Sequence, residues 1–292
     1  MSQSLSPLSP NSLVERQEQV TENPVNEFLQ ETVALTKRLF IQLQRRPSTL
    51  VAGIVQPLMW LILFGALFQY APEGLLGEGV NYSQFLAPGV IIFTAFSGAL
   101  NAGLPVMFDR EFGFLNRLLV APLSTRFSIV AASTLYIIAL SFLQTAAIVG
   151  LSAVVGAGLP SIAGLSAIAL IVFFIVAGVT ALSLGLAFAL PGHVELIAVI
   201  FVTNLPLLFA STALAPLNFM ANWLKVVASL NPLTYGIEPI RYIYLNGEWS
   251  LGSIVLETPW LNLSFGASLL ALFAFDVAIL LLIQPILRRR FA

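Results

Sequence analysis

The chain has 292 residues, of which 58% are hydrophobic and 9% charged, with a mean hydropathy of +0.92 and a formal net charge of −1. An ordinary soluble domain carries about 25% charged residues, so the composition excludes a soluble fold and points to an all-α integral membrane protein. With no cysteine and one histidine, His193, the chain excludes disulfides, Cys-ligated zinc and iron–sulfur clusters and argues against a histidine metal site; nor does a basic patch interleave with aromatics, as nucleic-acid binding would require.

Residues 1–22 are rich in Ser, Pro, Gln and Glu. They have too little to bury and are expected to be disordered, and they lack the charged start and apolar core of a signal peptide. In residues 23–47, Asn23 suits a helix cap and Pro24 a first helical position. Phe28, Leu35, Leu39 and Leu43 form a stripe, joined by Leu29, Val33 and Phe40, while Lys37, Arg38, Arg45 and Arg46 gather toward the end. The pattern predicts an amphipathic helix along the inner membrane surface, its cations near anionic head groups; a solvated helix is the alternative.

Residues 48–290 read as one transmembrane domain. A span needs about 20 apolar residues, and six stretches qualify: 50–70, 85–107, 127–149, 162–190, 196–214 and 263–287. Gly89, Gly98 and Gly103 permit close packing of the second span, whose ends Pro88 and Pro105 are expected to kink. Pro191-Gly192 ends the fourth span, so His193 and Glu195 are expected in a tight turn before the fifth, itself interrupted by Asn204 and Pro206. Residues 215–261 are less regular and hold Trp223, Tyr235, Tyr242, Tyr244, Trp249 and Trp260. Aromatics of this kind mark membrane–water interfaces, and two short re-entrant helices are predicted, over 223–229 and 235–245, joined at Asn231-Pro232.

If six spans alternate, Lys37, Arg38, Arg45, Arg46, Arg110, Arg117, Arg126 and the terminal arginines fall on one side, and only Lys225 and Arg241 on the other. The positive-inside rule then puts both termini and the central loop in the cytosol, as expected of a multi-pass protein of the plasma (inner) membrane.

The central loop, residues 108–126, holds Asp109, Arg110, Glu111, Arg117 and Arg126. From Glu111 to Val120, Phe112, Leu115, Leu118 and Leu119 recur at helical spacing, and Pro122 ends the pattern. From the residues alone, this helix either rests on lipid or docks to a soluble partner. The chain has no G-x-x-x-x-G-K-[ST] motif and so no phosphate-binding loop of its own. His193 has no evident nucleophile partner, and Glu238, Arg241, Glu248 and Glu257 have no catalytic spacing. Asp276, near the middle of the last span, costs about 2.5–3.5 kcal/mol to insert. Protonation, or a hydrogen bond to a Ser, Asn or Gln on another helix, would offset that cost, the hydrogen bond being the structural account; a place on a polar transport path is the other.

Residues 111–124, Glu-Phe-Gly-Phe-Leu-Asn-Arg-Leu-Leu-Val-Ala-Pro-Leu-Ser, resemble the cytosolic loop of ABC type-2 exporter permeases, a family with daunorubicin-resistance and polysaccharide-export types. Leu230-Asn231-Pro232-Leu233-Thr234-Tyr235, followed by Glu238 and Arg241, resembles the outer segment before that family's last span. So does 205–209 running into Ala215-Pro216-Leu217 and Trp223, although Ala221 stands where the family often has Pro. The resemblance implies a coupling helix seated in an ATP-binding cassette subunit, with Glu111, Phe112, Leu115, Arg117 and Leu119 at the contact. It also implies a homodimer or heterodimer of permeases, with the first, second and fifth spans lining the route and the outer segment, including Asn231, Pro232, Tyr235, Glu238 and Arg241, closing the exit. No cofactor is expected in this chain, ATP and magnesium belonging to the partner. An uncharged route suits a lipid, glycolipid or apolar drug; a polysaccharide cargo, or proton-coupled transport through Asp276, are the alternatives.

Overall fold

The computed structural model describes residues 24–68, 82–113 and 127–291. The expectations for residues 1–22 and for Leu115, Arg117 and Leu119 lie outside them. Ten helices and one hairpin are described, so the all-α expectation holds except for a short two-stranded sheet.

Helix α1, Pro24–Arg45, packs its Thr32, Leu35 and Phe40 side against the start of α5, Phe127–Val154. Phe40 meets Tyr136 edge-on at 5.3 Å, and Ser128 donates to Glu31 at 2.6 Å. The helix is thus held against a span on this side, while Leu29 and Val33 of its apolar stripe lie on the exposed side, at 52% and 64%.

The next helix, α2, covers Pro47–Leu67, and α3 covers Tyr82–Leu100. The second span, 82–111, runs past 107 but is interrupted close to the kink expected at Pro105. It breaks at Asn101–Ala102 and resumes as α4, Gly103–Glu111. Pro105 has no N–H for the Asn101 carbonyl, which instead accepts from Leu104 at 3.1 Å. The Ser183 hydroxyl enters the gap, donating to the Leu100 carbonyl at 2.5 Å and accepting from the Gly103 N–H at 2.9 Å. Gly103 permits this approach: a Cβ there would fall on the Ser183 backbone.

Ser161 caps α6, Ile162–Ala189, by accepting from Gly164 N at 3.1 Å. The chain turns at 190–192 and enters α7, His193–Phe209. His193 and Glu195 thus belong to the first turn of a helix, not to the connection, and Pro206 lies inside α7 without interrupting it. Among the described residues, five helical stretches are long and apolar enough to cross a membrane: 50–67, 82–111 (α3 with α4), 127–154, 162–189 and 265–285; α7, with 17 residues, is shorter.

Past α7 come a 3-10 turn at Leu217–Phe219, α8 (Asn222–Leu230) and α9 (Pro232–Asn246). These two helices match the predicted positions. The hairpin β1 (Ile254–Glu257) and β2 (Asn262–Ser264), which the sequence reading did not foresee, leads directly into α10, Phe265–Phe291. Apolar side chains of α3, α6 and α9 share the main core, in which Ile91, Ile171, Ile175, Ile237 and Ile240 are fully buried.

Candidate functional site

Two polar assemblies lie at opposite ends of this bundle. The first is built by three consecutive charges at the end of α4, each serving a different element. Asp109 pairs with Arg38 of α1 at 3.2 Å. Arg110 sends its guanidinium to the carbonyls of Ala187, Leu190 and Pro191 at 2.7, 2.6 and 2.8 Å. Glu111 accepts the His193 backbone N–H at 2.7 Å and pairs with the His193 ring.

This arrangement follows from the needs of helix ends. The last carbonyls of a helix and the first N–H groups of the next have no partners within their own helices. The dipoles add partial negative charge at the first end and partial positive charge at the second. Gly192, the N-cap residue of α7, has no side chain to supply a cap. Arg110 and Glu111, adjacent on α4, match both ends in sign and in hydrogen-bonding role. Phe108, one turn back, lays its ring 5.2 Å from that of His193. Phe112 closes α4, and Gly113, at φ 75°, turns the chain away. The helix expected to begin at Glu111 therefore does not begin there: Glu111 is the last residue of α4, and Phe112 is 78% exposed beyond it.

The second assembly gathers the outer-segment residues. Asn231 caps α9 by accepting from Leu233 N at 3.0 Å, and its amide donates to the Leu207 and Ala210 carbonyls at the end of α7, at 2.8 and 2.6 Å. Pro232 occupies the first helical position. Tyr235 donates to the Ser229 carbonyl at 2.6 Å, tying α9 to α8. Arg241, 5% exposed, pairs with Glu238 and donates to the Phe85 carbonyl of α3 at 3.2 Å and the Thr212 carbonyl at 2.5 Å. Its guanidinium also stacks 3.8 Å over the Phe85 ring.

The other candidates stand apart. Asn204 of α7 donates to Ser97 of α3 at 3.1 Å, and its Oδ1 is buried without a partner. Asp276 is buried against Gly178 of α6, and its Oδ1 likewise has no hydrogen-bond partner. Among the described residues, that oxygen meets no hydroxyl or amide of the kind expected for the carboxyl group. Glu195 lies beside the 192 turn, where a Cβ on Gly192 would come within 3.0 Å of its carboxylate. Among the described residues no cluster of three or more His, Asp or Glu could hold a metal ion.

Sequence reasoning took Asp109, Arg110 and Glu111 as loop charges and missed their partners. The alternation of sign was the available signal; the partners lie about 80 positions away and were not readable. Ser183 carried no signal at all.

A family model described as ABC-2 type transporter matches residues 30–245. A protein of Cyanophora paradoxa named putative transport permease ycf38 is 53% identical over 264 residues, 90% of this chain and 91% of the relative. Its namesake in Porphyra purpurea is 52% identical over the same shares. The probable doxorubicin resistance ABC transporter permease protein DrrC of Mycobacterium tuberculosis is 24% identical over 233 residues, 78% of this chain and 81% of the relative. With apolar helices long enough to cross a bilayer and a family match over most of its length, the chain belongs to the ABC-2 type transporter family, as a transmembrane permease subunit.

Proposed function

We propose that this permease is the membrane subunit of an ATP-driven exporter that moves an amphiphile, a lipid, glycolipid or apolar drug, out of the cytosol or the inner leaflet. Hydrolysis belongs to a separate ATP-binding cassette subunit, seated on the loop 114–126, and two permeases form the route. The observation that carries this reading is the anchorage of Asp109, Arg110 and Glu111, directly before that loop, on three different elements. The fastening completes helix ends, and it also fixes the start of the loop to three elements, so that a pull on the loop is passed to the bundle.

Six crossings are part of the proposal. At about 1.5 Å per residue, the 17 residues of α7 cover about 26 Å, close to the hydrocarbon thickness of about 30 Å. Its ends support this: His193 lies at the Glu111 end of the bundle, while Leu207 and Ala210 lie with Asn231 at the other. The Lys/Arg bias makes the Glu111 end cytosolic.

The cargo class rests on surface chemistry. No charged side chain occurs in α2, or in α7 after Glu195, and both helices expose apolar residues: Val55, Met59 and Leu63 on one, Ile197, Phe201 and Leu205 on the other. The relative DrrC is named for doxorubicin resistance, which makes that compound a first cargo to try. The test is transport into proteoliposomes holding the permease and its ATPase subunit, with doxorubicin and a fluorescent phospholipid as cargoes. ATP-dependent transport of either, with hydrolysis stimulated by the cargo, is expected. Transport driven by a proton gradient without ATP, and abolished by Asp276→Asn, would refute the exporter and favour the secondary transporter.

A further inference from the structure

We infer that α4 is a lever, pivoted on Ser183 at the Asn101–Ala102 break and fastened by Arg110 and Glu111 to the α6–α7 turn, so that a pull on the following loop moves α7 directly rather than travelling back along α3. The inference rests on the exporter reading and adds to it the path of the force inside the chain.

Three observations converge on it. First, α4 is not continuous with α3. The α-helical ladder gives way at Asn101–Ala102 to tighter bonds, Ala102 N–H to the Ala99 carbonyl and Leu104 N–H to the Asn101 carbonyl, each at 3.1 Å, with the Ser183 hydroxyl inserted between Leu100 and Gly103. A 3-10 stretch inside a helical rod often marks a hinge, and here Ser183 sits beside it as the pivot. Second, the far end of α4 is fastened to both α6 and α7. Arg110 makes three charge-assisted hydrogen bonds across the end of α6, and Glu111 takes the first free N–H of α7 and the His193 ring. Charge-assisted bonds are roughly twice as strong as neutral ones, and these also satisfy helix-end groups that would otherwise lack partners. Third, α7 has an open face, although Asn204 ties it to Ser97 of α3 and Asn231 holds its far end. Beyond its first turn it presents Phe201, 73% exposed, and Val202, 69% exposed, away from the bundle. What moves with α4 is therefore an apolar, outward-facing helix.

A rigid joint and a pliant one predict different behaviour when the joint is locked. The chain has no cysteine, so Phe108→Cys with His193→Cys places a unique thiol pair where two rings touch at 5.2 Å. This keeps Arg110, Glu111 and the His193 backbone N–H and gives up the Glu111–His193 ring pair, which the linker replaces. If α4 and the start of α7 move as one body, closing this pair with a short thiol-reactive linker leaves ATP-driven transport the same as in the unlinked variant. If the linker stops transport and cutting it restores transport, the two helices must separate during the cycle and the lever is overturned. In parallel, Arg110→Ala should lower the cargo moved per ATP hydrolysed by about tenfold, within the usual range of coupling between sites. Arg110→Lys, a cation without the fork, should recover part of it. A purely structural role would lower the amount of folded permease and leave that ratio alone; an unchanged ratio in Arg110→Ala also overturns the proposal. If the parent chain neither binds nor stimulates an ATPase subunit, the exporter reading itself fails. If the parent does both while the linked pair is inactive, only the lever fails.

Discussion

Replacing Arg241 with Met tests whether the outer helices are held by a buried ion pair. The substitution keeps a long, unbranched side chain over Phe85 but removes the charge. It leaves the Glu238 carboxylate, 15% exposed, without its partner, and the Phe85 and Thr212 carbonyls without their donor. Removing one member of a buried pair costs about 3–5 kcal/mol, because the remaining charge stays desolvated. At about 2–4 °C per kcal/mol for a chain of this size, the midpoint of unfolding should fall by roughly 10 °C. Glu238→Leu added to Arg241→Met removes the stranded charge, and the pair of changes should cost less than Arg241→Met alone. Thermal unfolding in lipid nanodiscs, followed by tryptophan fluorescence, measures both. Trp249 stacks on Phe265 at 4.4 Å and lies at the same end of the bundle, so its emission reports on this region. A double variant less stable than the single one would show that Glu238 is not stranded and that the carbonyl bonds alone hold α9; a single variant as stable as the parent would refute the whole account.

Leu115→Asp with Leu119→Asp, one turn apart on the expected docking face, should leave the permease inserted but abolish co-purification of the ATPase subunit. Arg117→Glu should do so more weakly, because an exposed charge is screened. Gly103→Ala puts a methyl on the Ser183 backbone and should reduce folded protein sharply, whereas Ser183→Ala removes the two bonds that bridge the break and should cost about 1–3 kcal/mol in thermal unfolding. Gly178→Ala drives a methyl onto the Asp276 carboxylate and should destabilise the α6–α10 contact, and adding Asp276→Ala should relieve it; Asp276→Asn alone, which keeps the volume, should retain transport if the residue is structural. In single-cysteine variants, an impermeant reagent applied outside should label position 248 and spare position 117; the reverse pattern would invert the topology.

The apolar runs by themselves located the long helices. Expected limits of 162–190 and 127–149 compare with Ile162–Ala189 and Phe127–Val154. This works because a bilayer demands length and apolarity from each segment separately, so the signal is local. The same holds for α9, announced by Asn231 as cap and Pro232 in the first turn, since capping is settled within three residues. What the tertiary structure decided is where each polar group finds its partner. Asp109, Arg110 and Glu111 look like loop in the sequence because charge ordinarily ends an apolar span; they are helical here because Arg38 of α1 and the ends of α6 and α7, far along the chain, supply the opposite charges. The break at Asn101 needed Ser183, and the depth of Arg241 needed carbonyls from α3 and from the stretch after α7. In an apolar medium hydrogen-bond partners must come from the protein itself, and which distant segment supplies them is a property of packing that no local pattern contains.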